Sequence, residues 1–140
     1  MADCVFCGVV TGEVPAEVVW RDSDTVAFLD RSPVFKGHVL VVPRVHVVTL
    51  PDLPEADLAP FFAVVRRVAA AVPTALGADG TFVAINNIVS QSVPHLHAHV
   101  VPRRRKDGLR GFFWPRVRYA DESDAAAYAS LLRDALSGTR

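Results

Sequence analysis

The stretch S-Q-S-V-P-H-L-H-A-H-V-V-P-R-R-R at residues 90–105 decides how the rest of the chain is interpreted. Its histidines, His95, His97 and His99, alternate with apolar residues, and this period of two predicts a β-strand with all three imidazoles on one face. At a rise of about 3.3 Å per residue, the outer two histidines would stand about 13 Å apart. That separation is too large for all three to bind one metal ion through bonds of about 2.1 Å.

A histidine on such a strand suits phosphate chemistry. Imidazole has a pKa of about 6.5, so it is largely neutral and nucleophilic at pH 7. His97 could therefore attack phosphorus while neighbouring residues set its tautomer. Gln91 offers an amide, and Ser92 offers a hydroxyl and a backbone N–H, to the non-bridging oxygens. For any one histidine, a hydrogen-bonded place in the core is the alternative.

Composition limits the class of protein. A length of 140 residues suits one domain, which we predict over residues 1–140. The net charge is zero, from fifteen basic and fifteen acidic residues, so nucleic acid is an unlikely partner. No apolar run reaches spanning length and the N-terminus lacks the form of a signal peptide. We therefore expect a cytoplasmic protein with no membrane partner.

The two cysteines, Cys4 and Cys7, stand at C-x-x-C spacing. In a cytosolic chain this spacing indicates a metal half-site or a redox pair, because structural disulfides are rare in that compartment. A metal site would need two further ligands from elsewhere in the chain.

The remaining pattern alternates short strands with helices. We predict a short helix over 5–10, strands over 18–20, 25–29, 38–43 and 81–87, and a long helix over 55–76. A basic and aromatic loop follows over 103–119, as a dimer arm, a packed loop or a lid, and a C-terminal helix over 121–137 is capped by Asp121 or Ser123. The predicted fold class is α+β, with about five mostly antiparallel strands crossed by the long helix.

The segment Q-S-V-P-H-L-H-A-H-V-V-P-R resembles the signature of the histidine-triad (HIT) superfamily. The similarity extends to the C-x-x-C pair, to V-A-F-L-D at 26–30, to P-V-F-K-G-H-V-L-V-V-P-R-V-H at 33–46 and to N-N at 86–87. It implies a HIT-like fold, a homodimer, and a nucleotidyl hydrolase or transferase without an organic cofactor. The substrate would be a purine nucleoside 5′-phosphate joined to an amine, as in phosphoramidates, or to a nucleotide, as in diadenosine polyphosphates.

The resemblance also implies a role for each matching residue. His97 would form a covalent nucleotidyl intermediate, with His99 and His38 as supporting catalytic residues. Asp30 would bind the ribose. The other implied substrate contacts are Phe6, Val9, Phe28 and Leu29 at the base, and Asn86, Gln91 and Ser92 near the phosphate. Asn87 is the alternative to Asn86, because the loop before Gln91 is shorter than in the family and contains no glycine.

A zinc site follows from the same resemblance. Members that keep C-x-x-C also keep the histidine that matches His46 and use it with the first triad histidine. Cys4, Cys7, His46 and His95 would then form a closed structural zinc site with no position for water. The alternative is a reduced thiol pair beside hydrogen-bonded histidines.

A protein that binds nucleotides or a partner with little turnover is the rival function.

Overall fold

A computed structural model describes residues 3–109 and 116–138 of the chain. The chain divides into two compact units, one up to Asp107 and the other from Gly108 onwards. The prediction of one domain over residues 1–140 stays a prediction.

The first unit is built on a five-stranded sheet. Its strands are β1 (Val18–Arg21), β2 (Thr25–Leu29), β3 (Val39–Pro43), β4 (Gly80–Ile85) and β5 (Ala98–Arg103). They lie in the order β1-β2-β3-β5-β4, and each neighbouring pair is antiparallel. The predicted α+β class and the antiparallel sheet are confirmed.

One helix packs on each face of this sheet. Because side chains alternate along a strand, Ala27 of β2 faces the long helix α2 (Glu55–Leu76), whereas Phe28 faces the short helix α1 (Val5–Thr11). The α2 face forms the larger apolar cluster, and the α1 face forms a smaller one around Phe6. The predicted short and long helices are both present.

Helix α2 has the length and the apolar composition of a helix that crosses a membrane. The helix is nevertheless two-sided, since Phe61 and Val68 are buried against the sheet while Arg66 and Arg67 are exposed. These contacts identify α2 as the core helix of the first unit.

The predicted histidine strand is shorter in the structure. β5 begins at Ala98, so His99 lies in the strand, but His95 and His97 precede it. The β3–β5 pairing ends where Val41 stands opposite Ala98, two residues before Pro43, which has no N–H for a ladder. The prediction of one strand through all three histidines is therefore wrong for the first two.

The second unit contains helix α3 (Glu122–Ser137). Its cap is Asp121, whose carboxylate accepts from the backbone N–H of Asp124 at 2.9 Å. The C-terminal helix is thus present, with Asp121 rather than Ser123 as its cap. Residues 110–115 of the predicted basic and aromatic loop lie outside the described residues.

Candidate functional site

A cleft of about 230 Å³ opens on the α1 face of the sheet. It brings together eight of the predicted site residues: Phe6, Val9, Phe28, Leu29, Asp30, Ser92, His97 and His99. Sequence reasoning missed seven others that line it, namely Val5, Val14, Pro15, Ala16, Arg31, Leu40 and Val93. Gly12 ends α1 in a left-handed conformation with φ of 88°, which turns the chain back past the helix. A helix-ending glycine followed by apolar residues was the available signal for Val14 and its neighbours.

His97 is held as the tautomer that leaves Nε2 unprotonated. Its Nδ1 lies 2.8 Å from the backbone carbonyl oxygen of His95. A carbonyl only accepts hydrogen bonds, so Nδ1 must carry the proton and Nε2 the lone pair. The ring is 2% exposed, and the edge-on ring of Phe6 packs 5.1 Å from it, centroid to centroid. His97 therefore has the orientation and the lone pair of a nucleophile.

His99 is held as the opposite tautomer through His38. The backbone N–H of Val34 donates to His38 Nδ1 at 3.1 Å, so the His38 proton is on Nε2. The Nε2–H of His38 donates to Nδ1 of His99 at 3.0 Å. In a neutral His99 the proton is therefore on Nε2. The rings of His97 and His99 are 4.9 Å apart, centroid to centroid. The cleft is consequently lined by two histidines with different roles. His97 presents a lone pair at Nε2, and His99 presents an N–H donor at Nε2.

Burial keeps these supporting histidines neutral. It lowers the pKa of His99 to about 4, and the nearby His97 and His38 add to that shift. Burial likewise lowers the pKa of His38, although the carboxylate of Asp30 opposes this. The 3.7 Å contact between His38 Nε2 and Asp30 Oδ2 is therefore not an ion pair at neutral pH. The Nε2–H of His38 is used in the 3.0 Å hydrogen bond with His99.

We expect the neutral state of His99 to give stability that depends on pH. Its pKa is about 4 in the folded chain and about 6.5 when unfolded. Between these values the unfolded chain binds the extra proton, so the free energy of unfolding falls as the pH drops from about 6.5 to about 4. Thermal unfolding between pH 7.5 and 4.5 should show a flatter dependence for His99→Asn than for the parent protein. If the melting temperatures of the two proteins depended equally on pH, a group other than His99 would be responsible for the loss of stability.

The four predicted metal ligands converge behind His97. Cys4 Sγ is 3.4 Å and Cys7 Sγ 3.6 Å from His95 Nδ1, while His46 Nδ1 is 3.2 Å from both Cys7 Sγ and His95 Nδ1. A tetrahedral zinc ion with bonds of about 2.3 Å to sulfur and about 2.0–2.1 Å to nitrogen separates two nitrogens by about 3.3 Å and a nitrogen from a sulfur by about 3.6 Å. The spacing in the cluster fits such an ion.

The protonation of this cluster agrees with its spacing. His95 Nε2 lies 2.9 Å from the carbonyl oxygen of Pro43, so that nitrogen carries the proton and Nδ1 presents a lone pair to the cluster. Burial, with a contribution from Cys4, raises the pKa of the Cys7 thiol, so metal binding must release its proton. We name Cys4, Cys7, His46 and His95 the metal cluster.

A second group, Asp30, His38 and His99, also has its ligand atoms within 4.8 Å of one another. It does not fit a metal ion, because His38 accepts at Nδ1 and therefore has a proton rather than a lone pair at Nε2. Within this group His38 donates to His99, and the Asp30 carboxylate lies beside His38 at 3.7 Å.

Asn86 and Gln91 shape the loop that leads to Ser92. The Asn86 amide donates to the carbonyl of Ser90 at 3.3 Å, and the Gln91 amide donates to the carbonyl of Val48 at 2.6 Å. Neither side chain is among the described residues that line the cleft. Their predicted contact with substrate stays a prediction.

A larger cavity, of about 640 Å³, lies on the α2 face. Its lining is apolar apart from Lys36 and Arg67, and the guanidinium of Arg67 sits 4.8 Å from the ring centre of Trp20. The lining includes no histidine, cysteine or carboxylate from the described part of the chain. The smaller cleft is therefore the candidate site despite its size.

Comparisons with known proteins agree with this geometry. The family model described as HIT domain matches residues 11–106. The chain is 38% identical over 139 residues to an uncharacterized HIT-like protein, Rv1262c, of Mycobacterium tuberculosis strain H37Rv, covering 96% of this chain and 93% of that one. It is 32% identical over 121 residues to the adenosine 5′-monophosphoramidase hnt1 of Schizosaccharomyces pombe, covering 85% and 88%. A zinc-bound histidine triad family protein from Mycobacterium smegmatis superposes with a TM-score of 0.73 at 39% identity, covering 95% and 98%.

Proposed function

The chain belongs to the HIT domain family, and from this premise we propose that it is a nucleotidyl hydrolase or transferase that forms a covalent nucleotidyl-histidine intermediate. The family and its nucleotide-hydrolysing relatives support nucleotide hydrolysis in general. The opposite tautomers of His97 and His99, which line one cleft, carry the finer proposal. They supply a nucleophile and a donor side by side.

The proposed reaction consists of two in-line displacements. The lone pair of His97 Nε2 attacks the phosphorus of the nucleoside 5′-phosphate, and the leaving group departs with the electron pair of its bond to phosphorus and takes up a proton from solvent. His99 Nε2–H and Ser92 donate to the non-bridging oxygens as charge develops on them. Water then attacks the same phosphorus and gives up a proton to solvent, the electron pair of the phosphorus–nitrogen bond returns to His97, and a nucleoside monophosphate is released.

The proposed purine nucleotide lies with its base among the apolar side chains of α1 and β2. Phe6 and Phe28 stand edge to face with centroids 5.3 Å apart and give that end of the cleft aromatic walls. Asp30 follows the end of β2 and lines the same cleft, which supports a role for its carboxylate as the acceptor for the ribose hydroxyls. We assign the ribose to Asp30 on this basis.

Asp30→Asn is expected to lower kcat/KM for a ribonucleotide substrate by about 10-fold, because an amide is a weaker acceptor than a carboxylate. The same substitution should change kcat/KM little for the 2′,3′-dideoxy form of the substrate, which has no hydroxyl to bind. Steady-state kinetics with both substrates give the comparison. Equal losses on the two substrates would contradict the ribose assignment.

The proposed activity is tested with adenosine phosphoramidate and with diadenosine tri- and tetraphosphate. Release of AMP, with capture of a nucleotidyl adduct on quenching in alkali, would support it. Faster turnover of the phosphoramidate would match the relative that is named a monophosphoramidase. Tight nucleotide binding with no turnover and no adduct on any of the three would instead support the binding protein without catalysis.

Three further properties belong to the proposal. The metal cluster would hold a structural zinc ion, which ties α1 to the loop after β3 and supplies no chemistry to the cleft.

The chain would form a homodimer. The strand β4 ends the described sheet, and its Val83 side chain is 44% exposed. On the neighbouring helix α2, the Phe62 side chain is 40% exposed. The protein would act in the cytoplasm without a membrane partner. Metal analysis, light scattering and cell fractionation measure these three properties.

A further inference from the structure

His95 connects the metal cluster to the proposed nucleophile. Its side chain is completely buried, and its Nδ1 lies 3.2 Å from His46 Nδ1 and 3.4 Å from Cys4 Sγ. Its backbone carbonyl accepts the 2.8 Å hydrogen bond from His97 Nδ1. One residue thus carries both a ligand atom of the cluster and the acceptor that sets the tautomer of His97.

The His95 carbonyl belongs to the peptide between His95 and Leu96, and the orientation of this peptide depends on both His95 and the loop that carries His46. The N–H of the same peptide, that of Leu96, donates to the carbonyl of Val47 at 2.7 Å, and Val47 directly follows His46. The imidazole of His95 is anchored at Nε2 by the carbonyl of Pro43 and at Nδ1 by the cluster. Without an ion, the side chains of His46 and His95 are no longer tied to each other, so the peptide between His95 and Leu96 can change its orientation together with the loop that holds it.

Phe6 provides a second connection between the two sites. It lies between Cys4 and Cys7 in the chain, and its ring stands edge-on to His97 at 5.1 Å and to His95 at 6.0 Å. Ligation of both thiolates would fix the first turn of α1, and with it the Phe6 ring against His97. His97 is therefore connected to the cluster in two ways: directly through the His95 carbonyl, and indirectly through the Phe6 ring, which the two cysteines flank in the chain.

We propose that a metal ion in the cluster positions His97 for nucleotidyl transfer, acting through the His95 carbonyl and the Phe6 ring. This inference rests on the proposed function and makes His95 a positioning residue for that reaction. Loss of the ion is expected to lower the rate constant for nucleotidylation of His97 by about 10–100-fold, as is typical when an orienting partner is removed. Nucleotide affinity should change much less, because the cleft walls that hold base and ribose remain.

Two substitutions at one position test this. His46→Asn removes one ligand, whereas His46→Cys keeps four ligands in a Cys₃His set that also suits zinc. Each is compared with the parent protein by metal content, by the dissociation constant for AMP and by single-turnover nucleotidylation, below the unfolding temperature of His46→Asn. The expected pattern is a slow reaction with nearly unchanged AMP binding for the Asn variant, and restored metal and rate for the Cys variant. A metal-free Asn variant that reacts at the parent rate would overturn the proposal.

A measurement that needs no turnover separates this inference from the proposed function. The ring-nitrogen NMR spectrum of His97 should show protonated Nδ1 in the zinc-loaded protein and a mixture of tautomers after zinc is removed. Replacing zinc by the larger cadmium ion should shift the His97 signals while the protein stays folded and loaded. Identical His97 spectra in all three states would overturn the positioning role. A loaded protein with the expected spectra but no reaction would overturn only the proposed function.

Discussion

Replacing His97 by alanine is expected to reduce nucleotidyl transfer by at least about 10³-fold, because the substitution removes the atom that bonds to phosphorus. AMP binding should weaken far less, since the base and ribose contacts lie on other side chains. The reaction is followed in a single turnover, with the adduct trapped in alkali and quantified by mass spectrometry. A variant that forms the adduct at more than about a tenth of the parent rate would exclude His97 as the nucleophile.

Two matched variants separate lost chemistry from lost structure. His97→Gln keeps an amide N–H that can donate to the His95 carbonyl but has no nucleophilic nitrogen, so it should be as inactive as His97→Ala and more stable. His99→Asn keeps the nucleophile and removes a phosphate donor, for which a loss of about 10²-fold is expected. If His99→Asn were the more severely impaired, the roles assigned to the two histidines would be reversed.

Replacing Cys4 by serine is expected to lower the free energy of unfolding by at least about 3 kcal/mol, because a structural metal ion contributes its binding energy to folding. For a chain of this size the melting temperature should fall by roughly 10 °C. Calorimetry of protein purified without added zinc, together with metal analysis, measures both effects. An unchanged melting temperature with a full metal content would remove Cys4 from the ligand set.

A chelator supplies the internal control for this experiment. It should lower the melting temperature of the parent protein towards that of Cys4→Ser and leave the variant unaffected, since the variant has no ion to lose. Thr11→Ser, a substitution at an exposed position in the same helix, should respond to chelator as the parent does. A chelator effect of equal size in Cys4→Ser would place the bound metal elsewhere.

Patterns of local sequence predicted the elements well. The run of strand-favouring residues at 25–29 and the apolar steps of residues 55–76 depend only on neighbouring residues, and both elements occur where they were expected. The histidine strand was predicted too long because its length depends on a partner. Pro43, more than fifty residues earlier, lies beyond the last β3–β5 pair and accepts from the ring of His95 instead of forming a ladder.

The sequence predicted the residues that would carry out the reaction, but only some of the residues that line the cleft. His97, Asp30 and Ser92 belong to short motifs, so their place in the cleft could be expected from the resemblance. Val14 and Val93 line the same cleft although they are far apart in the chain, because the sheet and α1 bring them together. The opposite tautomers of His97 and His99 could not be predicted, since they depend on which carbonyl or N–H each ring meets in three dimensions.

The spacing of the metal cluster along the chain affects the order in which the protein is completed during synthesis. Cys4 and Cys7 emerge first from the ribosome, but their partners follow 39 residues after Cys7, at His46, and 91 residues after Cys4, at His95. A seven-residue helix such as α1 is not stable alone, so it cannot dock before the sheet exists. Until His95 has emerged, a nascent chain therefore carries Cys4 and Cys7 without the complete set of residues that would bind a metal ion.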